Sequence, residues 1–586
     1  MKLFLFLSLI SCIYSQFAFT SLGTVRGITT KSTNGVSVEV YKGLPFAKPP
    51  IGKLRYAKPE EPTKWQGIRD ATDYQFSCLS NSSQTSSPQS HIDEDCLYVN
   101  IFTSARCKKT RNCAVLVYIH GGALLYDSAT MFPDNHLIDH FAAKDVVLVI
   151  TAFRMSTWGL FASPFEEVTP HNLAIHDIVR SLEFVQKEIW AFGGDPRRVT
   201  SLGHSMGADL SLAIAYSEEL NPGNRILAQA SAMSPSMDYH DIDRMHETSF
   251  EFARRAKCTP PGSTKFETPA MTKAIVECLR TKPWQELLLI QREIDDDGLM
   301  YLNGFPLTHP LTSSGRLDLL LKNAPKTPVL LGSTMLEFDP VGLPNANETY
   351  GDILQLKNTQ EIAIKLYYDQ VTERLKTHHN YQSQCVFVST FNYGKAQIER
   401  GAQAFLYKYD MPRGCQHTGD LCYVMGVHCR DFNDDELKIK EFYSEYFVNF
   451  TKHGKPRADW EPLDPSRKNY WSVVCNQTID LYPHNENNYE AEVVDYWLKN
   501  MTFFDKKVTE IKERIMPNFE ALTFDSIPSY ANFISICLFV IVLFPGVLLG
   551  FVILMKVTKK NEYDALPECE DLDQKNAIVY DTARYL

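Results

Sequence analysis

The stretch LGHSMGAD, Leu202 to Asp209, sets one serine between two glycines and directly after a histidine. Alone the pattern carries little weight, because at average glycine usage G-x-S-x-G arises by chance on the order of 0.2 times in a chain this long. Its flanks add to it. RVTSL, residues 198–202, is a short β-branched run, and ADLSLAIAYSEE, residues 208–219, resumes helical periodicity. A serine on so sharp a strand-to-helix turn has its hydroxyl exposed, and glycines at 203 and 207 relieve the crowding between strand and helix. The helix N-terminus lends positive potential to developing negative charge. A serine hydroxyl is a weak nucleophile until a base takes its proton. The chain must therefore supply a histidine and an acid.

Working outward, AVLVYIHGG (114–122) and VVLVITAF (146–153) are brief, β-branched runs that predict buried strands. After Asn172, apolar Ile175, Ile178, Leu182, Val185 and Ile189 recur at helical spacing and stop before FGGDP. PVLLG (328–332) and AFLYKYD (404–410) predict further strands. Strand and helix in alternation predict an α/β fold: a large, mostly parallel sheet with helices on both faces.

Four motifs, EDCLYVNIFT (94–103), YIHGGALLYDS (118–128), FGGDPRRVTSLGHSMGA (192–208) and the early GTVRG with YKGLPFAKPPIGKLRY (23–27 and 41–56), together resemble the type-B carboxylesterase/cholinesterase family. The likeness runs to about Trp497 and implies an α/β-hydrolase fold and carboxylic-ester hydrolysis without a cofactor or metal. It implies Ser205 as nucleophile. The acid is Glu337, five residues past Gly332 in LLGSTMLEF, with Asp339 as a nearby rival. The base is His417, in the G-x-x-H loop of RGCQHTGDLCYVMG. The order serine, acid, histidine is that of α/β-hydrolases. Backbone N–H groups of Gly122, Ala123 and Met206 are the expected oxyanion donors. The resemblance also implies disulfides Cys78–Cys96 and Cys258–Cys278. The spacing of Cys107 and Cys113 suggests a third, while Cys385, Cys415, Cys422, Cys429 and Cys475 stay unassigned.

The chain departs from the family at three places. GHSMGA replaces the usual GESAGG, so His204 stands where an acid is common, and Met206 brings bulk beside the reacting carbonyl. AFRMSTWG replaces NYRLGxxG while keeping Arg154 and Gly159. The loop between Cys78 and Cys96 has no aromatic residue, so it lacks the tryptophan with which cholinesterases face a quaternary ammonium. Choline esters are therefore disfavoured as substrates.

Composition fits a large secreted globular body. Of 586 residues 44% are hydrophobic and 22% charged, and the formal charge of −11, without a basic tract, excludes a nucleic-acid surface. MKLFLFLSLISCIYS (1–15) reads as a signal peptide. Residues 531–555 carry no charge and exceed the roughly 20 residues of a membrane-spanning helix. Lys556, Lys559 and Lys560 follow, which leaves the tail cytosolic. The expected organisation is a signal peptide (1–15), a catalytic domain (16–505), a stalk (506–530), one transmembrane helix (531–555) and a cytosolic tail (556–586). Sequons at Asn81, Asn347, Asn449, Asn476 and Asn500 agree with passage through the secretory pathway. Tyr563 and Leu566 form a Y-x-x-Φ pattern of the sorting type, so the expected location is the plasma or an endolysosomal membrane. The expected partner is a small ester, with a homodimer left open. Two other functions compete: an acyl transferase using the same three side chains, and a cholinesterase-like adhesion protein, a class that often lacks the nucleophile present here.

Overall fold

The computed structural model describes residues 16–81, 91–237, 239, 241–298, 304–340 and 354–515. Among these, eleven strands form one large sheet. In chain order they are β1 (Ile28–Lys31), β2 (Ser37–Pro45), β3 (Tyr98–Ser104), β4 (Cys113–Ile119), β5 (Val146–Thr151) and β6 (Gly194–His204). Then follow β7 (Gln229–Met233), β8 (Val329–Thr334), β9 (Ala404–Tyr409), β10 (Tyr470–Val473) and β11 (His484–Glu486). The helices that matter below are α1 (Leu173–Glu188), α2 (Met206–Tyr216), α3 (Thr359–Val371), α4 (Tyr381–Glu399), α5 (Tyr443–His453) and α6 (Thr502–Ile515).

The spatial order is β11-β10-β9-β8-β7-β6-β4-β5-β3-β2-β1. Pairings from β10 across to β5 are parallel. The edges, β11 on one side and β3, β2 and β1 on the other, pair antiparallel. The sheet is thus mixed, with a parallel centre. Every residue of β3, β4, β5 and β8 is buried, which requires cover on both faces and explains their continuous apolar runs.

Strands β5 and β6 lie on opposite sides of β4. The strand order therefore reverses at β4, and loops leaving the carboxyl ends of β4 and β6 diverge. A crevice at such a point is where open α/β sheets gather functional groups. The loop after β4 carries HGG, and Ser205 directly follows β6.

Helix α1 carries Ile175, Ile178, Leu182 and Val185 on its buried side. Asp177 on the same helix accepts two hydrogen bonds from the Arg154 guanidinium, both 2.7 Å, and one from the Arg154 backbone N–H at 3.0 Å. Arg55 and Glu94 form a second buried bidentate pair, 2.5 and 2.6 Å, which Trp158 joins through its indole N–H. Cysteines pair as Cys78–Cys96, Cys107–Cys113, Cys258–Cys278 and Cys422–Cys429, while Cys475 is a buried free thiol.

Helix α6 covers the first part of the segment read as a stalk. It is held to the domain by Asp505, which accepts from the Asn358 backbone and side chain at 2.8 and 2.9 Å, and by Lys512, which reaches Glu361 at 2.6 Å. No helix among the described residues is long and apolar enough to cross a membrane. The expected signal peptide, transmembrane segment, tail, Asn347, Tyr563 and Leu566 lie outside the described residues.

Candidate active site

Ser205 occupies the single residue between the end of β6 and the start of α2, with φ +56° and ψ −131°. The turn is forced by close packing. A Cβ on Gly203 would lie 1.9 Å from the Gly207 carbonyl oxygen, and one on Gly207 would lie 2.2 Å from that of Ile119. Only glycine fits at either place. Ser205 is the N-cap of α2, yet its side chain makes no capping hydrogen bond, so the hydroxyl is left to other partners. Its backbone N–H donates to Met233 O at 2.9 Å, which extends the β6–β7 ladder by one rung.

His417 Nε2 lies 2.8 Å from Ser205 Oγ, and His417 Nδ1 lies 2.6 Å from Glu337 Oε2. The three side chains thus form one continuous hydrogen-bonded line. Glu337 follows β8 and His417 follows β9, neighbouring parallel strands, so each leaves the same edge of the sheet as Ser205. The two loops are tied by backbone: His417 N–H donates to Glu337 O at 2.8 Å and Leu336 N–H to Cys415 O at 2.9 Å. Ser234 Oγ and Thr334 N–H both donate to Glu337 Oε1 at 2.7 Å. Phe338 stacks on the His417 ring, centroids 4.1 Å apart.

Asp339 is turned away. Its carboxylate meets His379 Nδ1 at 2.6 Å and accepts from Asn380 N–H at 2.7 Å. Of the two acids near Gly332, only Glu337 faces His417.

Burial depresses the His417 imidazole well below the ordinary histidine range. Burial also raises Glu337, while the hydrogen bonds from Ser234 and Thr334 pull the other way and favour the carboxylate. The resting imidazole is therefore unprotonated, the form able to accept a proton.

Gly122 and Ala123 stand in the left-handed region, φ +86° and +55°. Among the described residues neither backbone N–H is used in a hydrogen bond. A Cβ on the adjoining Gly121 would lie 3.1 Å from Ser205 Cβ, so this turn borders the serine directly. Met206 is the first residue of α2, where backbone N–H groups lack intrahelical partners.

His204 is buried, and its Nε2 lies 3.1 Å from the His417 carbonyl oxygen. Because a carbonyl only accepts, Nε2 carries the hydrogen and Nδ1 is the free acceptor. Among the sequons, Asn500 is exposed. Asn449 donates to Pro456 O at 3.3 Å, Asn476 Oδ1 accepts from Thr478 N–H at 3.1 Å, and the Asn81 carbonyl accepts from Arg292 at 3.4 Å. Sequence reasoning missed Ser234, Thr334 and the Cys422–Cys429 bridge. No local motif marks Ser234, which reaches Glu337 only because β7 and β8 are neighbours.

Comparison with known proteins bears on the same residues. The profile described as the carboxylesterase family matches residues 15–371 and 355–497. Carboxylesterase 5A of Canis lupus familiaris is 33% identical over 533 residues, covering 82% of this chain and 88% of the relative. Pyrethroid hydrolase Ces2e of Rattus norvegicus is 27% identical over 550 residues, covering 84% and 90%. Cocaine esterase of Homo sapiens is 34% identical over 288 residues, covering 47% and 48%. The matched span holds the elbow, the HGG turn and both loops that meet at Ser205, and the chain belongs to the carboxylesterase family as a carboxylic ester hydrolase.

Proposed function

We propose that Ser205, His417 and Glu337 carry out ester hydrolysis through an acyl-enzyme, on esters other than choline esters. The observation that carries this reading is the unbroken line from Glu337 Oε2 through both His417 nitrogens to Ser205 Oγ, 2.6 and 2.8 Å. His417 Nε2 takes the Ser205 proton as Oγ bonds to the ester carbonyl carbon, and the carbonyl π pair moves onto oxygen. Glu337 accepts from Nδ1–H, which fixes the tautomer and offsets the imidazolium charge. The oxyanion lies against the N–H groups of Gly122, Ala123 and Met206, each worth roughly 3 to 4 kcal/mol of barrier. On collapse the alcohol leaves with the proton from Nε2. Water then repeats the cycle on the acyl-enzyme, releasing the acid and restoring the serine.

Replacing Ser205 with Ala tests the assignment: turnover of a neutral ester falls by about a million-fold if the serine is the nucleophile. Unchanged turnover rules it out.

The same reading places the catalytic body in an oxidising compartment, supported by disulfides such as Cys78–Cys96, Cys107–Cys113, Cys258–Cys278 and Cys422–Cys429. With the expected leader and the uncharged run at 531–555, this makes a type I membrane esterase.

A further inference from the structure

The HGG turn has an acidic neighbour that the reaction above does not use. Asp127 closes the turn that begins at Gly122, where Leu125 and Tyr126 N–H both donate to Gly122 O at 2.8 and 2.9 Å. It holds φ +68°, a conformation that aspartate tolerates better than most residues. Its Cβ would lie 3.0 Å from a Cβ on Gly122, while Gly121 on the other side borders Ser205. Across these two glycines, Asp127 and Ser205 Cβ atoms are separated by at most about 13 Å, within the reach of one small ester.

The Asp127 carboxylate is half-buried and has neither a hydrogen-bond partner nor an ion-pair partner among the described residues. A half-buried carboxylate that no described side chain or backbone N–H meets is partly desolvated by its neighbours and left open to a ligand that brings a positive charge. Burial raises its carboxyl to about 6, so at neutral pH it is ionised and lacks a counter-charge. A second acceptor borders Gly121, on the Ser205 side of the pair. His204 Nδ1 lies 3.3 Å from the Cβ position of Gly121, and the ring's hydrogen bond is made by Nε2 alone. Two acceptors, one of them charged, thus flank the Gly121–Gly122 pair, and no cation of the described residues is directed at Asp127.

We infer that Asp127 forms a subsite for a protonated amine carried by the ester substrate. This rests on the reading of Ser205 as the nucleophile of an esterase. The chemistry selects ammonium groups that still bear N–H. A charge-assisted hydrogen bond needs that hydrogen, whereas a quaternary ammonium is better served by an aromatic face. The preference is thus for primary to tertiary amines over choline.

The experiment uses the full chain and matched butyrate esters: dimethylaminoethyl butyrate, its uncharged isostere isoamyl butyrate, and butyrylcholine. A second arm uses ethyl esters of dimethylaminobutyric acid and of its carbon isostere, which places the amine in the acyl part. The expected result is a kcat/KM ratio of amine to isostere of about ten- to hundredfold in one arm, with butyrylcholine below the tertiary amine. In Asp127→Asn, which keeps the shape and the left-handed backbone, that ratio falls toward one. Organophosphate labelling of Ser205 in the variant shows that the site has folded. A ratio near one in both arms, or one unmoved by Asp127→Asn, overturns the subsite while ester hydrolysis stands. If none of the esters is turned over, the esterase reading itself fails, and the subsite with it.

Discussion

His204 donates from Nε2–H to the backbone carbonyl of His417 at 3.1 Å. The residue before the proposed nucleophile thereby anchors the proposed base, through main chain and not through the reacting ring. The two rings are 5.1 Å apart, and burial with the neighbouring His417 holds His204 neutral. An acid at this position, as is usual in the family, would face the carbonyl with an acceptor unless it were protonated.

His204→Leu removes that donor and strands a carbonyl. The expected result is a fall in kcat of about tenfold on a neutral ester with little change in KM. His204→Gln, whose amide supplies an N–H, should recover most of the loss. Equal losses in both variants would show that ring shape, not the hydrogen bond, matters.

The pH dependence follows from the resting state of His417. In the proposed mechanism His417 must start as the unprotonated imidazole, and burial depresses its protonation. Activity is therefore present above the folded-state value and lost as pH falls through it. The acid limb of kcat/KM on an uncharged ester should have its midpoint below the ordinary histidine value of about 6.5, with a flat profile from there to mildly alkaline pH. A midpoint above that value would contradict the geometry.

The Arg154–Asp177 pair predicts a stability effect separate from chemistry. Both side chains are buried, and Asp177 also holds the Arg154 backbone. Asp177→Asn leaves a buried guanidinium without its counter-charge and should cost about 3 to 5 kcal/mol. Urea unfolding, or inactivation kinetics if unfolding is irreversible, measures this. A loss below about 1 kcal/mol would mean the site relaxes to admit water.

His379 predicts the sign of a pH effect on stability. Burial alone would depress it, but the Asp339 and Glu490 carboxylates, at 2.6 and 3.5 Å, outweigh burial and raise it to about 9. A folded-state value above the unfolded one stabilises fully below about 6.5 and is lost as pH rises through about 9. The melting temperature should therefore fall over that window in the native chain. His379→Gln should lower it at pH 6.5 and flatten the slope. An equal slope in both proteins would remove His379 from the account.

Much of this architecture was legible in the residues. The apolar runs at 114–119, 146–151, 329–332 and 404–409 form buried strands, because a strand covered on both faces has no polar side to alternate with. Ser205, Glu337 and His417 could be proposed because each follows a strand readable in the residues, RVTSL, PVLLG and AFLYKYD respectively. The outermost antiparallel strands were not legible, since β1 and β11 are short and have no fully buried residue, leaving little pattern to read. Ser234, Thr334 and the backbone tie between Leu336 and Cys415 depend on which strands are neighbours. Asp127 escaped for a related reason. Its lack of a partner is a fact of three-dimensional packing that no spacing records.

The most direct measurement is mass spectrometry of the full chain after reaction with diisopropyl fluorophosphate. The account predicts a single covalent adduct on Ser205, formed rapidly in the native protein and at least about a thousandfold more slowly in His417→Ala. A protein that hydrolyses esters yet carries no adduct at Ser205, or carries it on another residue, would contradict the account.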